Sequence, residues 1–199
     1  NLCRRAGWKA GVSLPVFLAN LAQEKSATAS AAVELAAGIY VVPEFLGNRA
    51  PFADPHARAV IAGLGMERDL DSLVALYVAG LCGIGYGLRQ IVDAQHAQGI
   101  KTDSIVISGG AGRHPLVRQI LADACGLPVT STTCSEPVLL GYAILGAVAA
   151  DLAPSVVSAM KQFTHKDQSY SVSETYREIH QRRYENYQRL QQMAKMIQE

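Results

Sequence analysis

Ser104-Ile-Val-Ile-Ser-Gly-Gly-Ala-Gly-Arg-His-Pro-Leu-Val-Arg-Gln-Ile-Leu121 is the stretch in which the apolar pattern turns from strand-like to helix-like across a glycine-rich joint. Ile105, Val106 and Ile107 make a short β-branched run, Gly109, Gly110 and Gly112 open backbone angles closed to other residues, and Pro115 suits the first turn of a helix. Amide groups exposed at such a joint can cradle a phosphate. The glycine pair alone is a weak signal. Ser108 to Gly112 matches neither the P-loop nor the dinucleotide fingerprint, so on these residues a phosphate cradle and a simple tight turn stand level.

Downstream, a helix from Pro115 to Cys125 is expected to stop at Gly126, Leu127 to Thr130 reads as a short strand, and Ser131 to Ser135 as a turn. Glu136-Pro137 then opens a strongly apolar helix through Val148. Strand, helix, strand, helix is the order of an α/β sheet with parallel pairing. Upstream, Ser13-Leu14-Pro15 starts a helix ending near Lys25, a second runs from Thr28 or Ser30 to Gly38, and Ile39 to Val42 reads as a buried strand. In the loop from Phe45 to Pro55, Arg49 and Asp54 are expected to form an ion pair, because an arginine among apolar residues needs a partner. Asp69 or Asp71 caps a long helix reaching about Gly99, with Ala75, Ala79, Gly83 and Gly87 on one face for close backbone approach.

Beyond Asp151, a short helix from Ser155 to Phe163, a polar loop from Thr164 to Ser171 and an amphipathic helix from Glu174 to Ile197 are expected. The stripe of Tyr176, Ile179, Tyr187, Leu190, Ala194 and Ile197 is expected to dock on the chain's own domain. The domains so read are a helical lead-in over 1–37, a nucleotide-binding domain over 38–163 and a helical appendage over 164–199.

The chain has 199 residues, 49% of them hydrophobic, enough to bury a real core. A net charge of +1 gives no broad electrostatic footprint for nucleic acid or an anionic membrane, which points to a small molecule or protein as partner. The uncharged run from Asp71 to Arg89 is short and glycine-rich, which favours a buried helix over a membrane span. Cys3, Cys82, Cys125 and Cys134 form no CxxC pair and no signal peptide is visible, so reduced thiols and a cytoplasmic location are expected.

Several spaced segments carry a resemblance. Gly47-Asn48-Arg49-Ala50-Pro51, Arg58 with Gly63-Leu64, Tyr86-Gly87 with Arg89, Ser108-Gly109-Gly110, Gly126 to Val129 and Leu140 to Ala147 together resemble the C-terminal half of the FGGY carbohydrate kinases. The match runs in consistent order from about Val41 to Lys161. Gly-Asn-Arg-Ala-Pro is most similar to pentulose kinases of the D-ribulokinase type. The resemblance implies an actin-like, ribonuclease-H-like ATPase domain, incomplete at its N-terminal side, that closes against a separate sugar-binding domain and passes the ATP γ-phosphoryl group to a sugar hydroxyl. It implies ATP with Mg²⁺ as cofactors, a pentulose with D-ribulose favoured, and Gly109, Gly110 and Ala111 along the nucleotide phosphates and ribose.

Two residues depart from the family pattern. His114 stands where an asparagine often lies near adenine, and an imidazole there either meets the base or caps a helix. Ala59 stands where glycine usually follows the basic residue near the nucleotide pocket. The family's aspartate base and its Thr-Gly-Thr-like phosphate loop precede the region that begins here, and neither has a match, so no catalytic residue and no metal ligand is expected in this segment. Phosphoryl transfer to an alcohol needs both a base and Mg²⁺ with the phosphates. The alternative is a non-catalytic interaction module on the same fold that uses the C-terminal helix for docking. A homodimer is compatible with either.

Overall fold

The computed structural model describes residues 2–5, 7–9, 11–109 and 114–198. Gly110 and Ala111, both expected at the nucleotide, lie outside the described residues. In chain order the elements are α1 (Leu2–Arg5), α2 (Leu14–Glu24), a 3₁₀ helix (Ser30–Ala36), β1 (Tyr40–Val42), β2 (Val60–Ala62), α3 (Leu70–Ala97), β3 (Ile105–Ile107), α4 (Pro115–Cys125), β4 (Val129–Thr132), α5 (Pro137–Ala149), α6 (Val156–Phe163), β5 (Lys166–Tyr170), a 3₁₀ turn (Glu174–Tyr176) and α7 (Arg177–Gln198).

The long helix α3 is the spine. Asp69 caps it by accepting the Ser72 amide at 2.8 Å, and that bond holds the Asp69 carboxyl below its usual range. Of the expected small-residue face, Gly83 makes the close approach: a Cβ there would sit 2.2 Å from the Val41 carbonyl oxygen, whereas one on Gly87 would meet only the Tyr187 hydroxyl at 3.6 Å. On another face, a Cβ on Gly85 would sit 2.5 Å from the Ala124 Cβ, so β1 and α4 press directly on the helix backbone. Val74, Val78, Cys82 and Tyr86 fill the core around these approaches. By length and composition α3 could cross a membrane, but here it is packed against α2, the first 3₁₀ helix, β1 and α4.

Two sheets flank it. β1 and β2 pair antiparallel, Val41 opposite Ile61. In the other sheet β3 and β4 run parallel, with Ile105 opposite Val129 and Ile107 opposite Ser131. β5 adds antiparallel to the far edge of β4, where the register shifts between Thr130 and Thr132. This strand occupies the stretch expected as a polar loop. Lys166-Asp-Gln-Ser-Tyr170 has little intrinsic strand preference and only Tyr170 is buried; pairing with β4 imposes the conformation.

At the C-terminus, α7 packs on α3, α4 and the β1–β2 pair. Tyr187 and Ala194 are buried as the stripe predicts, whereas Ile197 is 82% exposed. His180, Arg183 and Gln191, all polar, are buried instead. Arg183 explains part of this: it donates to the carbonyls of Ala36 at 2.8 Å and Ile39 at 2.7 Å and lies over the Tyr40 ring. The expected Arg49–Asp54 ion pair is not formed. The Asp54 carboxylate instead accepts the amides of His56 and Ala57, local turn bonds that occupy it. α5 is unusual in another way, since Ile144 alone of its thirteen residues is buried.

Candidate functional site

Because β3 and β4 are parallel, they end side by side. Ser108 and Gly109 beyond β3, and Thr133 and Ser135 beyond β4, face each other across a cleft of about 400 Å³ at the carboxyl ends of the strands, where open α/β sheets hold ligands. Gly109 sits at φ +87°, the left-handed region that a side chain resists, although the space around it is open. The glycine is therefore required by the backbone turn rather than by crowding.

Arg118 on α4 and Asp167 on β5 form another wall of the cleft. Their Nη1 and Oδ2 atoms are 3.6 Å apart. The Arg118 guanidinium also stands 5.8 Å from the centre of the Tyr170 ring. Asp167 Oδ2 accepts a hydrogen bond of 3.0 Å from the buried Ser131 hydroxyl. Among the described residues the lining is rich in hydroxyls, with Arg118 as its cation and Asp167 as its carboxylate.

His114 is the N-cap of α4. Its Nδ1 accepts the Leu116 amide at 3.2 Å, so the proton resides on Nε2, which donates to Asn20 Oδ1 at 2.9 Å. Burial lowers the imidazole's proton affinity, which keeps this neutral tautomer. Both ring nitrogens are thus engaged in tying α4 to α2, and only the ring faces remain for a base. Ala59 lies just before β2, half-buried in the other part of the fold, and does not line the cleft. The structure therefore brings Gly109 to the cleft, sets His114 at the start of the helix that bounds it, and leaves Ala59 apart.

Arg118 and Asp167 escape a reading by motif. Arg118 has a visible signal, since it follows His114 by four residues and so shares its helix face. Asp167 has none, because its strand does not announce itself. The buried thiols are not nucleophiles: burial pushes Cys82 up to about 11 and raises Cys125 as well. Among the described residues no group of three or more His, Cys, Asp or Glu is placed to hold a metal ion.

Residues 12–150 match the FGGY family of carbohydrate kinases, C-terminal domain. An FGGY carbohydrate kinase domain-containing protein of Xenopus laevis is 34% identical over 164 residues, which is 82% of this chain and 30% of that protein. A D-ribulokinase of Saccharomyces cerevisiae is 33% identical over 60% of this chain and 17% of its own length, and a glycerol kinase of Ectopseudomonas mendocina is 34% identical over 82% of this chain and 32% of its own. The chain thus spans about a third or less of the length of these relatives. Among solved structures, the ligand-bound xylulose kinase of Lactobacillus acidophilus superposes with a TM-score of 0.70 at 20% identity, covering 91% of this chain and 35% of that one. The mixed α/β architecture is the actin-like ATPase fold of these sugar kinases.

Proposed function

The chain belongs to the FGGY family of carbohydrate kinases as its C-terminal domain, and from that premise we propose that it is the nucleotide-holding part of an ATP-dependent kinase whose acceptor is a pentulose, with D-ribulose put first. The observation that carries this reading is the cleft at the carboxyl ends of the parallel β3–β4 pair, where Gly109 meets a hydroxyl-rich lining and Arg118. Backbone amides at a glycine turn suit phosphate oxygens, and Arg118 supplies charge nearby.

D-Ribulose is favoured by the Gly47-Asn-Arg-Ala-Pro51 segment and by similarity to the yeast D-ribulokinase. Glycerol and xylulose kinases are similar to this chain too. The described residues do not by themselves fit a protein-held Mg²⁺; in this reading the ion arrives on the nucleotide phosphates. The base that takes the acceptor's proton belongs to the part of the kinase outside this chain, as do most sugar contacts. What the present residues do is bind the nucleotide and fix its orientation.

The test is calorimetry of the chain with ATP and with ADP, joined to an assay of ADP release by the whole kinase with D-ribulose, D-xylulose and glycerol. The reading expects heat with both nucleotides and the highest kcat/KM with D-ribulose. No heat with either nucleotide overturns the nucleotide role, and a preference for glycerol overturns the choice of acceptor alone.

A further inference from the structure

We infer that Asp167 is a specificity-determining residue of the β3–β4 cleft, a carboxylate that accepts a hydrogen bond from a hydroxyl of the nucleotide's ribose. The inference rests on the nucleotide reading above and adds to it a residue from β5, which lies beyond the stretch 12–150 that matches the family.

Three observations converge on it. Asp167 and Gly109 line the same cleft, so a ligand seated against Gly109 has this carboxylate within its pocket. The carboxylate is held in place from one side: Oδ2 takes the Ser131 hydroxyl at 3.0 Å and faces Arg118 Nη1 at 3.6 Å, while the side chain as a whole is 49% exposed. A carboxylate has acceptor sites beyond the one Ser131 occupies, and a half-exposed one in the cleft lining can offer them to a ligand hydroxyl. Finally, Ser108, Thr133 and Ser135 add hydroxyls around Arg118 and Asp167. A carboxylate is the acceptor of choice for a ribose hydroxyl.

A hydroxyl to satisfy Asp167 could come from the ribose or from the acceptor sugar, and the experiment separates them. The chain is titrated calorimetrically with ATP, 2′-deoxy-ATP, 3′-deoxy-ATP and D-ribulose, as wild type, Asp167→Asn and Asp167→Ala, with thermal unfolding as the check on folding. Wild type is expected to bind ATP about tenfold more tightly than at least one deoxynucleotide, the scale of one hydrogen bond to a charged acceptor. Asp167→Ala should bring that ratio to about one by weakening ATP and sparing the deoxynucleotide, and Asp167→Asn, which keeps the Ser131 contact, should fall between. A wild-type ratio near one, or a ratio that survives in Asp167→Ala, overturns the inference and leaves the nucleotide reading standing. D-Ribulose binding that Asp167→Ala abolishes while the ATP ratio stays unchanged overturns it in favour of the acceptor sugar. Absence of nucleotide binding in the wild type overturns both.

Discussion

The Tyr86 hydroxyl of α3 meets His180 Nδ1 of α7 at 3.0 Å, ninety-four positions apart in the chain and wholly inside the core. Burial drives the phenol's pKa up, so Tyr86 keeps its proton. The other ring nitrogen of His180, Nε2, has no hydrogen-bond partner among the described residues.

Burial lowers His180 from 6.5 to about 4, helped by the nearby charges of Arg183 and Arg89. Between those two values the unfolded state binds more protons than the folded state, so stability rises with pH. The contribution is complete above about pH 6.5 and is lost as pH falls toward 4, on the order of 3 kcal/mol in all. Comparing denaturant midpoints at pH 7 and pH 5 for wild type and His180→Gln isolates it, and the variant should show the flatter dependence. Asp123, whose carboxyl burial raises, tilts the profile the opposite way in both proteins and cancels from the comparison.

Gly83 and Gly80 make a controlled pair on one helix. Gly83→Ala places a methyl 2.2 Å from the Val41 carbonyl oxygen and should destabilise the chain by about 1–3 kcal/mol through forced separation of α3 and β1. Gly80 has nothing within 4 Å of the same position, so Gly80→Ala should stabilise by up to about 1 kcal/mol from helix propensity. Urea unfolding of the two variants should show midpoints moving in opposite directions.

Much of this frame is legible in the residues. The cap at Asp69, the stop of α4 at Gly126, the turn at Gly109 and the close-contact face of α3 each follow from a local rule, because each is decided within a few residues. What escapes is decided at long range. β5 is a strand because β4 needs a partner along its edge, and Arg183 is buried because two carbonyls some 150 positions earlier wait for it. The candidate site divides along the same line: Gly109 was visible in its turn chemistry, whereas Asp167 reaches the cleft only through the pairing of a strand with no strand-like sequence.

Arg183 supplies a third prediction. Its two guanidinium bonds to Ala36 and Ile39 hold α7 against the segment entering β1. Arg183→Met keeps the bulk but leaves both carbonyls without that donor, and should cost about 3 kcal/mol. Arg183→Lys should recover only part of the loss, since one ammonium does not reproduce the planar fork. Thermal unfolding ranks the three proteins.

His114 separates a structural role from a binding one. His114→Ala removes the cap of α4 and the link to Asn20 and should cost about 1 kcal/mol, whereas His114→Asn keeps a capping oxygen and should stay close to wild type. If ATP affinity follows the order of stabilities, the histidine acts on nucleotide only through the helix. A loss of affinity in His114→Asn without a loss of stability would assign it a direct contact.

The bare ridge of α5 bears on how the molecule behaves in company. Val138, Leu139, Tyr142 and Leu145 are each more than half exposed, and Val106, Val156 and Met160 extend the same apolar ground. Water gains by shedding such a surface onto any equally greasy neighbour. With a net charge of only +1, repulsion between molecules is weak. Crowding, detergent and ionic strength will therefore govern the solubility of this polypeptide in isolation far more than the integrity of its interior.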